Sequence, residues 1–314
     1  MAIALSAASP AKAAQLPGYH SYAAMSAQIA AVAAANPDIV RRFSIGRSAQ
    51  GRKLWAVKIS DNVVVDELEP EVLLVAGQHA REHITVEQAL YLLDQLTSGD
   101  PRVVNLISET EIYIVFNLNP DGSEYDTRDE FPRYWRKNRQ RPFGTDLNRN
   151  WGYHWGCCGG NVSANPRSDA YRGKHAFSAP ETRALRDFVK SRVIGGAQQI
   201  KAAIDIHSAA QLVLWPYGFT KKNTAPGMTA AQYARLAHLG REMAHANGYK
   251  AEQASDLYIA PGELPDWLWG EYHIYAYTFE LGPGDEFYPA EFADEIAKNR
   301  EPVLLLLDAA TRLP

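Results

Sequence analysis

Val72-Leu73-Leu74-Val75-Ala76-Gly77, followed after Gln78 by His79-Ala80-Arg81-Glu82-His83, is the stretch whose reading decides the fold. The apolar run is short, rich in Val and Leu, and stops at a glycine, which suits a buried strand better than a helix. Potential metal ligands follow directly at its end. Two arrangements are open. Either His79 and Glu82 are ligands, or His79 and His83 are the ligands and Glu82 is a general base, the H-x-x-E-H pattern. Both make a zinc hydrolase site, with different residues in different roles.

The surrounding composition fits such a site. The chain has 314 residues, 46% of them hydrophobic and 22% charged, which suits one large α/β domain or two smaller ones. A net charge of −4 leaves no basic footprint for nucleic acid. No apolar run approaches the roughly 20 residues that span a bilayer. Residues 1–14 (MAIALSAASPAKAA) lack acids, and Ala11-Lys12-Ala13 fits a small-residue cleavage pattern. They read either as the tail of a secretory signal or as an Ala-rich disordered leader, outside a domain of residues 15–314. The adjacent Cys157 and Cys158 lie in a Gly-rich loop. Two neighbouring thiols do not complete a zinc site, so they form either a vicinal disulfide, favoured by export, or two free thiols.

Further strands are expected over 54–59, 72–76, 111–116, 202–206, 212–215 and 274–279. Helices are expected over 20–35, over 86–96 with Thr85 as cap, and over 179–189 with Pro180 in the first turn. Two more are expected over 230–246, ended by Asn247-Gly248, and over much of 289–312. Strands alternating with helices predict a mixed, mostly parallel twisted sheet with helices on both faces, a three-layer α/β/α single domain. Sites in such sheets lie at the strand ends. The stretch 119–176, rich in Gly, Asn, Arg, Pro and aromatics, is too long for an idle loop and is expected to be functional.

A catalytic zinc usually keeps three protein ligands and one open position. His207, ending Ala203-Ile204-Asp205-Ile206-His207-Ser208, is the best third ligand. Glu280, closing Tyr277-Thr278-Phe279-Glu280, offers the general base, because a buried Glu at a strand end is costly without a function. In Arg133-Tyr134-Trp135-Arg136 and Asp146-Leu147-Asn148-Arg149-Asn150-Trp151 the arginines alternate with aromatics. Arginine forks suit a carboxylate or an oxyanion.

With these motifs together, the chain resembles the metallocarboxypeptidases of the carboxypeptidase A/B family, particularly the bacterial branch that includes carboxypeptidase T. The resemblance runs over about 16–313 and also includes Trp215-Pro216-Tyr217-Gly218 and Tyr258. It implies a secreted enzyme that hydrolyses the C-terminal peptide bond of peptides and proteins and acts as a monomer. His79, Glu82 and His207 would hold one Zn2+. Glu280 would be general base and proton shuttle, and Arg136 would hold the oxyanion. Asn148, Arg149 and Tyr258 would grip the substrate carboxylate, and Arg133 would make a secondary contact. His83 becomes a supporting residue. The other classes weighed are another zinc amidohydrolase on the same fold, such as a deacylase or peptidoglycan amidase, and a non-catalytic binding relative.

The resemblance also bears on specificity. The pocket position that usually selects the terminal side chain is Pro265, uncharged, while Glu263 stands two residues earlier. Glu263 beside apolar Leu264 implies mixed hydrophobic and basic preference, the alternative being a purely apolar pocket with Glu263 turned to solvent, and Gly218 leaves room for large side chains. Ala209 replaces the aromatic of most relatives, which implies a wider upstream subsite. The segment Asp66-Glu67-Leu68-Glu69-Pro70-Glu71 matches a calcium-binding stretch, so a structural Ca2+ near Asp66, Glu67, Glu69 and Glu71 is expected beside a solvated acidic loop as the alternative.

Overall fold

Alternating side chains build two cores on one sheet. In the computed structural model, which describes residues 16, 18–129, 131–283 and 287–314, β3 (Glu71–Ala76) is buried along its whole length. Its side chains alternate between the two faces, as the strand period requires. Val72, Leu74 and Ala76 join one core cluster, and Leu73 and Val75 the other. The leader at 1–14 lies outside the described residues.

The main sheet also contains β1 (Val40–Arg47), β2 (Lys53–Ile59), β4 (Glu111–Val115), β7 (Ile200–Ser208), β8 (Leu212–Trp215), β9 (Lys250–Gln253) and β10 (Tyr275–Leu281). A separate two-stranded ribbon pairs β5 (Val193–Ile194) with β6 (Ala197–Gln198). The order across the main sheet is β1-β2-β4-β3-β7-β10-β8-β9. The centre, β4-β3-β7-β10, is parallel, and antiparallel pairs β1·β2, β2·β4 and β10·β8 flank it. This is the expected mixed sheet.

One face carries α1 (Tyr22–Ala35), α2 (Ile84–Leu96), α3 (Pro101–Ile107), α6 (Ala230–Asn247) and α10 (Arg300–Ala310), which feed the first core. The other carries α5 (Pro180–Ser191) and α8 (Leu264–Tyr272), which feed the second. Shorter helices are α4 (Pro120–Asp126), α7 (Ala254–Leu257) and α9 (Ala293–Ala297). The expected helix over 289–312 is therefore two pieces, α9 and α10. Thr85 is not the cap of α2. The capping residue is His83, and the Thr85 hydroxyl donates to the Glu82 carbonyl while accepting from the Gly77 amide. That pair ties the strand's end to the helix's start.

The described residues after α4 are irregular as far as 176, apart from one 3₁₀ turn at Leu147–Arg149 and an isolated bridge between Ser163 and Tyr171. Buried backbone groups need partners, and here a side chain supplies them. The Asn150 amide donates to the carbonyls of Arg172 and His175 and accepts from the Ala179 amide. Cys157 and Cys158 form a vicinal disulfide in this stretch. Among the described residues, no helix is long and apolar enough to cross a membrane.

Candidate active site

Because β3, β7 and β10 run in parallel, their carboxyl ends share one edge of the sheet. The turn after β3 delivers His79 and Glu82, and the end of β7 delivers His207. His79 Nδ1 lies 2.8 Å from Glu82 Oε1, His207 Nδ1 lies 2.8 Å from Glu82 Oε2, and the two Nδ1 atoms are 3.0 Å apart. All three residues are buried. Donors about 2.0–2.2 Å from a tetrahedral zinc stand about 3.3 Å from one another. Three electron-rich atoms this close, in a two-histidine, one-carboxylate set, fit such an ion. Burial pushes the Glu82 carboxyl up, but His79 and His207 outweigh it and hold it well below the usual carboxylate range. His83 points elsewhere, with Nε2 3.0 Å from Asp126 Oδ2, so the H-x-x-E-H arrangement does not form.

Glu280 pairs in register with His207 on the neighbouring strand, which puts the two side chains on the same face. It lines a cleft of about 330 Å³ with His79, Glu82, Arg136, Asn148, Arg149 and Tyr258. Burial pushes its carboxyl up to about 8, with His207 only partly opposing; a bound divalent cation would draw it down. Arg136 is fixed by Asp146, whose Oδ2 accepts from Arg136 Nε at 2.9 Å while Oδ1 lies 3.0 Å from His79 Nε2. Burial opposes ionisation of Asp146, but Arg136 and His79 override it and keep the carboxyl well below its usual range. Asp146 thus links His79, expected as a metal ligand, to Arg136, expected to hold the oxyanion. Sequence reasoning quoted it without a role; its position opening the Asp146–Asn150 motif was the only signal.

The residues expected to grip a carboxylate come from three segments. Asn148 Oδ1 accepts from the Leu264 amide at 2.9 Å, which turns its Nδ2 toward the site. Arg149 is 1% exposed. Its Nε donates to the Asn161 carbonyl, and its Nη1 donates to the Asn148 carbonyl and to Glu263 Oε1, the last at 3.2 Å. Its Nη2 has no partner. Gly262 allows this approach: at φ +81°, a Cβ there would stand 2.9 Å from the Arg149 carbonyl oxygen. The Tyr258 ring lies 5.9 Å from the Arg149 guanidinium carbon.

Glu263 lines the cleft, and burial pushes its carboxyl up to about 7, with Arg149 partly opposing. The role expected of Gly218 changes here. A Cβ at Gly218 would meet Glu263 Oε2 at 2.3 Å, so the glycine makes room for Glu263 rather than directly for a substrate side chain. Asp266 holds that turn by accepting from the Gly218 and Phe219 amides. Ala209 lines the cleft beside Ala210. Arg133 is not among the lining residues; it is held on the exposed side by Asp129 and by the Tyr125 hydroxyl. Arg81 lines the cleft instead, its guanidinium 4.4 Å from the Phe287 ring centre. It stood inside the opening motif but was given no role.

The acidic stretch divides in two. Asp66 and Glu71 are ion-paired with Arg192, and their carboxylates also stand close to that of Glu111. Glu67 and Glu69 group with Asp61 instead. Burial and its acidic neighbours push the Glu69 carboxyl up to about 7.

The family profile described as "Zinc carboxypeptidase" matches residues 25–303. A "Zinc carboxypeptidase" of Saccharothrix mutabilis subsp. capreolus is 44% identical over 308 residues, covering 95% of this chain and 70% of that protein. "Zinc carboxypeptidase A 1" of Anopheles gambiae is 36% identical over 272 residues; the match covers 84% of this chain but only 60% of the length of that relative. Bovine thrombin-activatable fibrinolysis inhibitor, solved in complex with tick carboxypeptidase inhibitor, superposes with a TM-score of 0.82 at 28% identity, over 94% of this chain and 98% of that one. This chain belongs to the zinc carboxypeptidase family, a family of metal-dependent exopeptidase hydrolases.

Proposed function

We propose that this protein is a secreted zinc carboxypeptidase that removes single residues from the C-terminus of peptides and proteins, with mixed hydrophobic and basic preference. The observation that carries the proposal is the free edge of Arg149. A buried guanidinium with an unpartnered Nη2, in the same cleft as the His79, Glu82 and His207 donors, calls for an anionic ligand beside the metal. A substrate's terminal carboxylate meets that need and places the adjoining peptide bond near Glu280.

His79, Glu82 and His207 would hold the zinc. When bound, it would supply Lewis-acid polarisation and an acidified water at neutral pH. Arg149 takes the carboxylate on its free edge, and Asn148 Nδ2 and the Tyr258 hydroxyl complete the grip. Arg136, held in place by Asp146, donates to the carbonyl oxygen as negative charge develops on it. Glu280 takes a proton from the attacking water and returns it to the departing amine. Glu263 faces the terminal side chain: its carboxylate suits Lys and Arg, and the neighbouring Leu214 and Leu257 suit apolar side chains. A structural calcium would sit at Asp61, Glu67 and Glu69.

The proposal is tested by release of the terminal residue from peptides ending in Phe, Leu, Arg or Glu, with and without a chelator. Expected are release of Phe, Leu and Arg, and its loss on chelation. Activity that survives the chelator, or none after zinc is added, would overturn the proposal. Release of Phe and Leu without Arg would overturn the mixed preference alone.

A further inference from the structure

The two ring nitrogens of His207 face different chemistry. Nδ1 lies inside the donor triangle, 3.0 Å from His79 Nδ1 and 2.8 Å from Glu82 Oε2. Nε2 lies 2.9 Å from Asp205 Oδ2 and 3.1 Å from Asn148 Nδ2. A neutral imidazole carries one hydrogen, and its hydrogen-bond partners decide which nitrogen holds it. With the hydrogen on Nδ1, that atom donates to Glu82, Nε2 accepts from the Asn148 amide, and the lone pair facing the metal position is lost. With the hydrogen on Nε2, Nδ1 is bare. Asn148 cannot accept that hydrogen, because its Oδ1 already takes the Leu264 amide and the edge turned to His207 is the NH2. Asp205 Oδ2 can. In the first tautomer it would instead face a bare ring nitrogen at 2.9 Å, two electron-rich atoms opposed.

Asp205 is held for this task. It is 1% exposed, and its Oδ2 also accepts from Gln78 Nε2 at 2.6 Å. Gln78 Oε1 accepts in turn from Trp151 Nε1 at 3.2 Å, which fixes the amide's orientation. The other oxygen, Asp205 Oδ1, is buried without a partner. An unfilled buried oxygen works against folding, so packing alone gives no reason for a carboxylate here.

We infer that Asp205 is a positioning residue for His207: it holds the tautomer that leaves Nδ1 bare for the metal, and by taking the Nε2 hydrogen it releases Asn148 Nδ2 toward the substrate's carboxylate. His79 is served in the same way by Asp146. Both histidines then have a carboxylate behind them, the outer-sphere arrangement that orients metal-binding histidines. The inference rests on the zinc site proposed above.

The test is zinc affinity by chelator competition, with thermal unfolding of the metal-free protein alongside, for the parent chain, Asp205→Ala and Asp205→Asn. Asp205→Ala is expected to raise the zinc Kd by about 10- to 100-fold, and Asp205→Asn, which keeps an acceptor but not the charge, by less. Metal-free stability should change by less than zinc binding does in both, because Asp205→Ala removes the unfilled oxygen along with the acceptor of Gln78, and Asp205→Asn keeps that acceptor. With zinc saturating, Asp205→Ala should raise KM more than it lowers kcat, because Asn148 falls back onto His207. Zinc affinity within about twofold of the parent in both variants would overturn the inference. So would a weakening that merely follows lost metal-free stability. If Asp205→Ala does not fold, Asp205→Asn decides. A parent chain that binds no zinc would overturn the metal site itself, whereas a parent that binds zinc with indifferent variants would overturn only the role of Asp205.

Discussion

Replacing Glu263 by Gln should separate the two halves of the proposed specificity. In the free site Glu263 Oε1 is 3.2 Å from Arg149 Nη1, and Oε2 fills the space above Gly218. Gln keeps the shape and removes the charge. A cationic terminal side chain then loses a charge-assisted hydrogen bond, about 1.5–3 kcal/mol. At about 1.4 kcal/mol per tenfold, kcat/KM for a peptide ending in Arg should fall by about 10- to 150-fold. For a peptide ending in Phe it should change by less than about threefold, because the carboxylate clamp supplies the binding that both substrates share. The assay is kcat/KM for the two peptides with the parent and Glu263→Gln. An equal fall for both would refute the reasoning, since it would make Glu263 a support for Arg149 alone. The pH dependence follows from the same group. Burial raises the Glu263 carboxyl to about 7, so it is neutral below that pH and anionic above it. The ratio of Arg to Phe release should therefore grow as pH rises through about 7 in the parent and stay flat in Glu263→Gln.

Three further outcomes are expected. Glu280→Ala should lower kcat by about 10²- to 10⁴-fold or more with zinc content unchanged by metal analysis; loss of zinc would refute its assignment as base. Glu111→Ala takes the counter-charge from Lys58, which is 1% exposed and 2.5 Å from Glu111 Oε1, and leaves it the Val65 carbonyl. Removing one partner of such a buried pair should cost about 3–5 kcal/mol in denaturant unfolding, and a loss below about 1 kcal/mol would place the pair among weak surface contacts. Calcium at about a hundredfold excess over its Kd should add about 2.7 kcal/mol of stability, and Glu69→Ala should remove the gain; an equal gain in that variant would exclude the Asp61, Glu67 and Glu69 group.

The sequence made legible whatever depended on a local pattern. The strand at 72–76 is a continuous apolar run, that at 54–59 is apolar but for Lys58, and the helix ending at Asn247-Gly248 carries its stop signal, with Gly248 in the left-handed region at φ +76°. β1 was missed because Val40–Arg47 mixes charged and apolar residues and its register shifts between Ser44 and Gly46. α8 was missed because it begins in a Pro- and Gly-rich stretch, where Pro265 falls in its first turn. In the site, residues whose chemistry is inherent in their type, such as His79, Glu82, His207 and Glu280, could be picked from strand ends. Asp146 and Asp205 could not, because their roles lie in which nitrogen they face. Gly218 was misassigned for the same reason: the space it opens belongs to a residue 45 positions later. The partner of Asp66 and Glu71, Arg192, lies more than a hundred residues away.

The central claim is that a free terminal carboxylate, held at Arg149, directs hydrolysis to the last peptide bond. It is tested most directly by following one peptide, ending in Phe as the free acid and as its amide, by mass spectrometry with zinc present. Expected are loss of a single Phe from the acid, no cleavage of the amide on the same timescale, and loss of the distinction in Arg149→Met. Equal cleavage of acid and amide by the parent protein, or cleavage at an internal bond, would contradict it.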